Sequence, residues 1–159
     1  MRFSRVYALL LVRLVLPLLS VPVLGASNND QIRTLVEHYY AAANAKDLDR
    51  VMACFAPRDS VLVFEPVPIL PFIGATAVRK DWADFLARMK DIHLKATDLV
   101  VSSDGTLGYS HFFEETNMTT NAGQQIHGKL RATQVYEKID GRWLIIQEHK
   151  SIAMEDHQK

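Results

Sequence analysis

Glu65 is the residue of this sequence whose type and setting best suit catalysis. It ends the apolar run 60–66 (SVLVFEP), whose lack of polar alternation predicts a strand buried on both faces, and a proline-rich loop follows it. A carboxyl group in such a place is desolvated, which raises its pKa and makes it an effective general base. The alternative is a structural ion pair between Glu65 and Arg79 or Arg131.

Polar and aromatic residues of three later strands form a second group of candidates, which are His111, His127, Arg131, Trp143 and His149. If opposing strands bring Arg131 and His149 together, the two side chains can bind a carboxylate or polarise a carbonyl group. We expect a substrate to contact five residues, namely Arg131, His149, Trp82, His111 and Trp143. The alternative is that each histidine is bonded to the backbone or to a neighbouring glutamate.

The sequence lacks the motifs that are typical of several common classes of enzyme. The chain contains no HExxH, GxSxG, P-loop or dinucleotide-type glycine motif, so we expect neither a metal nor an organic cofactor. Cys54 is the only cysteine, which rules out an intramolecular disulfide, and its apolar neighbours predict a buried structural thiol.

Residues 1–26 read as an export signal. They hold three arginines, no acidic residue and a long Leu/Val run that ends in small residues, as secretory signal peptides do. The alternative is an uncleaved membrane anchor, but the apolar run 14–24 is shorter than the ~20 residues that a span needs. Cleavage would leave one exported domain, 27–159, in the periplasm or outside the cell and free of the membrane. This domain would be mildly acidic, so it would lack the excess of positive charge that nucleic-acid-binding proteins use to contact phosphates.

Helical patterns come first in the mature chain, and strand patterns follow. Helices are predicted at 31–43, at 48–55 with Asp47 as cap, and at 76–90 with Thr76 as cap. Long strands are predicted at 92–102, 106–119, 124–139 and 143–151, the last two joined by an Asp-Gly turn. This order predicts an α+β fold with helices packed on one face of a bent sheet.

Three segments in the same order resemble the nuclear transport factor 2-like superfamily. They are 36–49 (VEHYYAAANAKDLD), 73–79 (IGATAVR) and 140–149 (DGRWLIIQEH) with Ser151, the last typical of SnoaL-like members. The resemblance covers about residues 30–153. It implies a cone-shaped, curved antiparallel sheet with three N-terminal helices packed over it, the cystatin-like or nuclear transport factor 2-like roll, around a hydrophobic cavity.

The same resemblance implies roles for two residues. By similarity to ketosteroid isomerase, Tyr39 stands where a hydrogen-bond-donating tyrosine stands and Glu65 where the general base stands. The second oxyanion-hole group does not carry over, because none of the residues 133–135 is acidic. The alternative for Tyr39 is a core tyrosine whose hydroxyl group is satisfied within the protein.

Two functions from different classes follow, and the sequence leaves open whether the protein is an enzyme. One is proton transfer, of the isomerase, dehydratase or cyclase type, on a small hydrophobic molecule that bears a carbonyl group. The other is a non-catalytic module that binds a small ligand or forms a homodimer through an exposed sheet face that includes Leu130 and Tyr136. A third reading is an immunity or stress protein whose partner is another exported protein.

Overall fold

The computed structural model describes residues 26–68 and 70–152. The predicted export signal, 1–26, lies outside the described residues except for its last position. In the described part of the chain, no helix is long and apolar enough to cross a membrane.

Three helices precede the long strands. They are α1 (Asn28–Asn44), α2 (Leu48–Met52) and α3 (Ala75–Arg88). Ser27 and Asp30 form a reciprocal capping box at the start of α1, and the Asp47 side chain caps α2 as predicted. The cap of α3 differs from the prediction, because Gly74 and not Thr76 precedes the helix. Gly74 has a φ of 86°, a conformation that glycine adopts at no steric cost.

Six strands form one mixed sheet in the order β2-β1-β6-β5-β4-β3. They are β1 (Leu62–Phe64), β2 (Phe72–Ile73), β3 (Met89–Ser103), β4 (Leu107–Thr120), β5 (Gln125–Ile139) and β6 (Arg142–Ile152). The expected curved sheet is antiparallel except at one pair, where β1 runs parallel to β6. An apolar run without alternation carries no information about strand direction, so the sequence did not indicate this pairing.

A bulge in β6 changes which of its residues face the helices. Val135 pairs with Gln147 but Tyr136 pairs with Ile145, so β6 has one extra residue between them. Ile145 and Glu148 are therefore both fully buried although they are three residues apart. The predicted common face of Trp143 and His149 is wrong for this reason, since Trp143 is buried and His149 is exposed.

The inner face of the sheet packs against the helices, and its outer face is exposed. Tyr136 is fully buried on the inner face, and the half-buried Leu130 has the same parity on β5. The prediction that these two residues belong to an exposed sheet face is therefore wrong. The α1 helix is tied to the sheet edge by Asn44, whose amide group forms hydrogen bonds with both backbone groups of Leu94, at 2.9 and 2.7 Å.

Candidate active site

A buried lysine lies among three carboxyl groups beneath the helices. The Nζ atom of Lys150 is 3.2 Å from Glu65 Oε1, 3.3 Å from Glu114 Oε2 and 3.6 Å from Glu148 Oε2. The Lys150 side chain is only 5% exposed, and that of Glu148 is fully buried. Three negative charges against one positive charge would be costly in such a place, so the cluster favours a bound proton on one carboxyl group.

Neutral hydrogen-bond donors distinguish the three carboxyl groups. Glu114 accepts a hydrogen bond of 2.8 Å from the Tyr40 hydroxyl. Glu148 accepts one of 3.0 Å from the Tyr39 hydroxyl and one of 2.6 Å from the Gln134 amide. Within the described chain Glu65 has only Lys150 as a polar partner, so no neutral donor occupies its carboxyl oxygens. Glu65 is therefore the member of the cluster best able to take up and release a proton.

The electrostatic surroundings lead to the same assignment. Burial raises the pKa of Glu65 to about 7, and the charges of Glu148 and Glu114 add to the rise while Lys150 opposes it. Burial lowers the pKa of Lys150, but Glu114, Glu148 and Glu65 outweigh this effect and hold its pKa well above the usual value. Lys150 is thus a permanent cation beside a carboxyl group that titrates near neutral pH.

A chain of buried polar groups supports the cluster from the sheet side. The Tyr136 hydroxyl donates to Gln134 Oε1 at 2.6 Å, which leaves the Gln134 Nε2 group to donate to Glu148. Because the hydroxyl hydrogen of Tyr136 is used in this bond, Ser110 Oγ donates to Tyr136 at 2.6 Å. Each group in this chain has a defined donor or acceptor role, which fixes the orientation of the Glu148 carboxylate.

A cavity of about 190 Å³ adjoins the cluster. Its polar lining includes Glu65, Glu114 and Lys150, and its apolar lining includes Trp82, Phe85, Leu94, Met118 and Leu130. An apolar protein cavity of about 150 Å³ holds benzene, so this one fits a molecule of about one ring. The mixed lining gives such a molecule an apolar wall and a place for one polar group beside Lys150.

Two of the predicted site residues, Glu65 and Trp82, line the cavity. Tyr39 is fully buried behind it and reaches the cluster through Glu148. Trp143 is buried elsewhere, with Lys138 Nζ 5.6 Å from its ring centre. The partner of Glu65 is Lys150, and Arg79 pairs instead with Asp49.

The predicted histidines and Arg131 lie on the outer face of the sheet. His111 and His149 pair with the same residue of β5, Thr133, from its two sides, so two strand spacings of about 4.8 Å separate them. Arg131 is exposed and donates to the Ile152 carbonyl at 3.2 Å. These side chains are therefore not brought together with Glu65 in the cavity.

The residues that sequence reasoning missed are Lys150, Glu114, Glu148, Gln134 and Tyr40. Part of the signal was present, because Glu148 and Lys150 share one face of a strand. Among residues 26–68 and 70–152, no three or more His, Cys, Asp or Glu side chains are arranged to hold a metal ion.

Three helices over a six-stranded mixed sheet that borders a small cavity form an α+β fold of the nuclear transport factor 2-like class, as in solved proteins of that name. Within this class the chain belongs to the family of SnoaL-like domains, whose sequence profile matches residues 32–155.

Solved structures from three bacteria share the fold. A nuclear transport factor 2-like protein from Salmonella enterica is 16% identical at a TM-score of 0.75, over 80% of this chain and 92% of that one. A nuclear transport factor 2-like protein of unknown function from Pseudomonas putida is 24% identical at a TM-score of 0.70, over 81% of this chain and 89% of that one. A proposed dehydratase of the nuclear transport factor 2-like family from Streptomyces avermitilis is 18% identical at a TM-score of 0.70, over 79% of this chain and 95% of that one. At these identities the likeness concerns the fold alone.

Proposed function

We propose that the cavity binds a small, mostly apolar molecule with a carbonyl group, and that Glu65 transfers a proton at the carbon next to that carbonyl. One observation carries this proposal: Glu65 borders the cavity and, among residues 26–68 and 70–152, is the carboxyl group of the cluster without a neutral hydrogen-bond donor. A carboxyl group with a pKa of about 7 is well matched to general-base catalysis at neutral pH.

Lys150 supplies the electrostatic half of the proposed reaction. Ionised Glu65 takes the proton from the carbon, the C–H electron pair forms a carbon–carbon double bond, and the carbonyl π electrons move onto oxygen. The Lys150 ammonium group lines the same cavity and stabilises the negative charge on that oxygen. Tyr39 acts as a positioning residue in this scheme, because its hydroxyl holds Glu148, which in turn lies beside Lys150.

The fate of the proton on Glu65 decides the product. Its return to the same carbon gives exchange with solvent, and its delivery to a conjugated carbon gives an isomer. Loss of a β-hydroxyl group together with that proton releases water and gives a dehydrated product. The proposed dehydratase among the proteins of the same fold agrees with the last outcome.

Exchange of α-hydrogens tests the proposal without knowledge of the natural substrate. Cyclohexanone in D₂O, followed by proton NMR, should lose its α-hydrogen signals faster with the protein than without it. Glu65→Gln should lower the protein-dependent rate at least about 100-fold. Glu115→Gln is the matched control, since Glu115 is exposed and pairs with Lys129. Unchanged exchange in Glu65→Gln would show that another group is the base.

A second candidate function is association with another copy of the chain. The outer sheet face exposes several large apolar side chains, namely Val100, Leu107, Tyr109 and Phe113. Large apolar side chains exposed on one face of a sheet are typical of a homodimer interface. We therefore propose this face, and not the face of Leu130 and Tyr136, for the homodimer.

We also propose that the protein is exported, because residues 1–26 have the sequence pattern of a secretory signal peptide. Expression of the full sequence with a bacterial secretion system, followed by mass spectrometry of the product, tests this proposal. A product that begins near residue 27 supports export, and one that retains residues 1–26 contradicts it.

A further inference from the structure

Asp81 on α3 adds a separate carboxyl group to the cavity wall. The cavity-lining residues of this helix are Asp81, Trp82, Phe85 and Arg88, which share one helical face. Glu65 follows β1 and Lys150 lies on β6, so Asp81 reaches the same cavity from a different element. It belongs to neither the Lys150 ion-pair cluster nor the hydrogen-bond chain behind it.

Asp81 is half-buried, and in the part of the chain that the structure describes it has no hydrogen-bond or ion-pair partner. Burial raises its pKa, although the positive charges of Lys150 and Arg88 oppose the rise. A carboxyl group that is partly removed from water and left without a donor is open to a donor from a bound molecule. Asp84, three residues further along, differs in both respects, since it is exposed and pairs with Lys80.

We propose that Asp81 is the residue that determines which molecules the cavity accepts, by binding a hydroxyl or ammonium group at a position away from the carbonyl group. The choice of a carbonyl-bearing molecule rests on the proposed function, whereas the binding of the donor group does not. The ligand class is then a single-ring or similarly small ketone that carries a second, hydrogen-bond-donating group.

A matched set of ring ketones tests this inference. 4-Methoxycyclohexanone has an oxygen that cannot donate, 4-hydroxycyclohexanone can donate, and 4-aminocyclohexanone carries a charged donor. Binding is followed by the intrinsic fluorescence of the unmodified chain, because Trp82, one of its two tryptophans, lines the cavity. We expect the hydroxyl or the amino compound to bind about tenfold more tightly than the methoxy compound.

Asp81→Asn should reduce this preference to about twofold or less, and Asp84→Asn should retain it, which separates an effect of the cavity from a change in the net charge of α3. The donor whose preference is lost in Asp81→Asn identifies the group that Asp81 binds. Equal binding of the three ketones by the unmodified chain, or a preference that survives in Asp81→Asn, overturns the inference.

The exchange assay separates failure of this inference from failure of the proposed function. Glu65-dependent exchange without a preference for a donor overturns the role of Asp81 alone. A preference that depends on Asp81, without any exchange of α-hydrogens, supports the role of Asp81 and overturns the proposed proton transfer. Absence of any fluorescence response to all three ketones, together with absence of Glu65-dependent exchange, overturns both.

Discussion

The Lys150 ammonium group lies 3.2 Å from the Glu65 carboxyl group, at the edge of a cavity that both residues line. This contact joins a cation that keeps its charge to an acid that titrates near neutral pH. Proton removal next to a carbonyl group needs a base and a positive charge for the developing oxyanion, and the two residues supply one each.

Glu65 should make the stability of the protein depend on pH. Its pKa is about 7 in the folded protein and about 4.3 in an unfolded chain, so the folded state binds more protons between these values. The contribution of this group to the free energy of unfolding is therefore fully present below about pH 4.3 and is lost as the pH rises through about 7. Its size is at most about 4 kcal/mol.

Urea denaturation of the unmodified protein and of Glu65→Gln at pH 4.5, 6, 8 and 9 measures this contribution as a difference. The stability of the unmodified protein relative to Glu65→Gln should fall with rising pH and level off above about pH 8. A difference that does not change with pH would mean that Glu65 titrates at the same pH in the folded and unfolded states.

Replacement of Lys150 by methionine should strongly destabilise the fold. The substitution retains most of the side-chain length but leaves Glu114 and Glu148 buried without a cation. Loss of one partner from a buried ion pair costs about 3–5 kcal/mol, which urea denaturation would detect. Lys129→Met is the control, because Lys129 is exposed and its contact with Glu115 is 3.9 Å long, so it should cost less than about 1 kcal/mol. Equal losses in the two variants would contradict the central role of Lys150.

The elements of this fold could be predicted from local patterns, but the partners in the site could not. The stripe of α1 and the Asp-Gly turn before β6 are local features, and both predictions agree with the structure. Glu114 and Lys150 lie on strands that β5 separates, so only the register of three strands brings them together. The bulge in β6 also reverses the inner and outer faces along one strand, and no residue type marks its position.

The surroundings of Glu65 could be predicted only in part from the neighbouring sequence. The apolar run before it predicted desolvation, and its raised pKa agrees with this. The identity of its cation depends on the parallel pairing of β1 with β6, which places Lys150 nearby, whereas Arg79 and Arg131 pair elsewhere. The sequence did not indicate a role for Asp81, because the apolar residues around it on α3, such as Trp82, predicted packing alone.

Gln134 should contribute to stability through its two hydrogen bonds. Gln134→Leu leaves Glu148 Oε1 without its donor in a fully buried place, whereas the Tyr136 hydroxyl keeps its contact with Ser110. One unsatisfied buried group costs about 1–3 kcal/mol, so the free energy of unfolding should fall by at least about 1 kcal/mol. Gln124→Leu in the exposed turn between β4 and β5 should change it by less than about 0.5 kcal/mol. A loss no larger than that of the control would mean that the buried chain of polar groups relaxes without cost.

Tyr109 should determine the oligomeric state if the outer sheet face forms a homodimer. It is 49% exposed, it stacks on His111, and it lies between Leu107 and that histidine on the outer face of β4. Sedimentation equilibrium of the unmodified chain at micromolar concentration should give twice the mass of one chain. Tyr109→Glu places a charge in each half of a twofold interface and should give the mass of one chain, because buried like charges repel. Gln124→Glu adds a charge in an exposed turn outside this face and should leave the dimer intact. A single-chain mass for the unmodified protein, or a dimer that persists in Tyr109→Glu, would exclude this face as the interface.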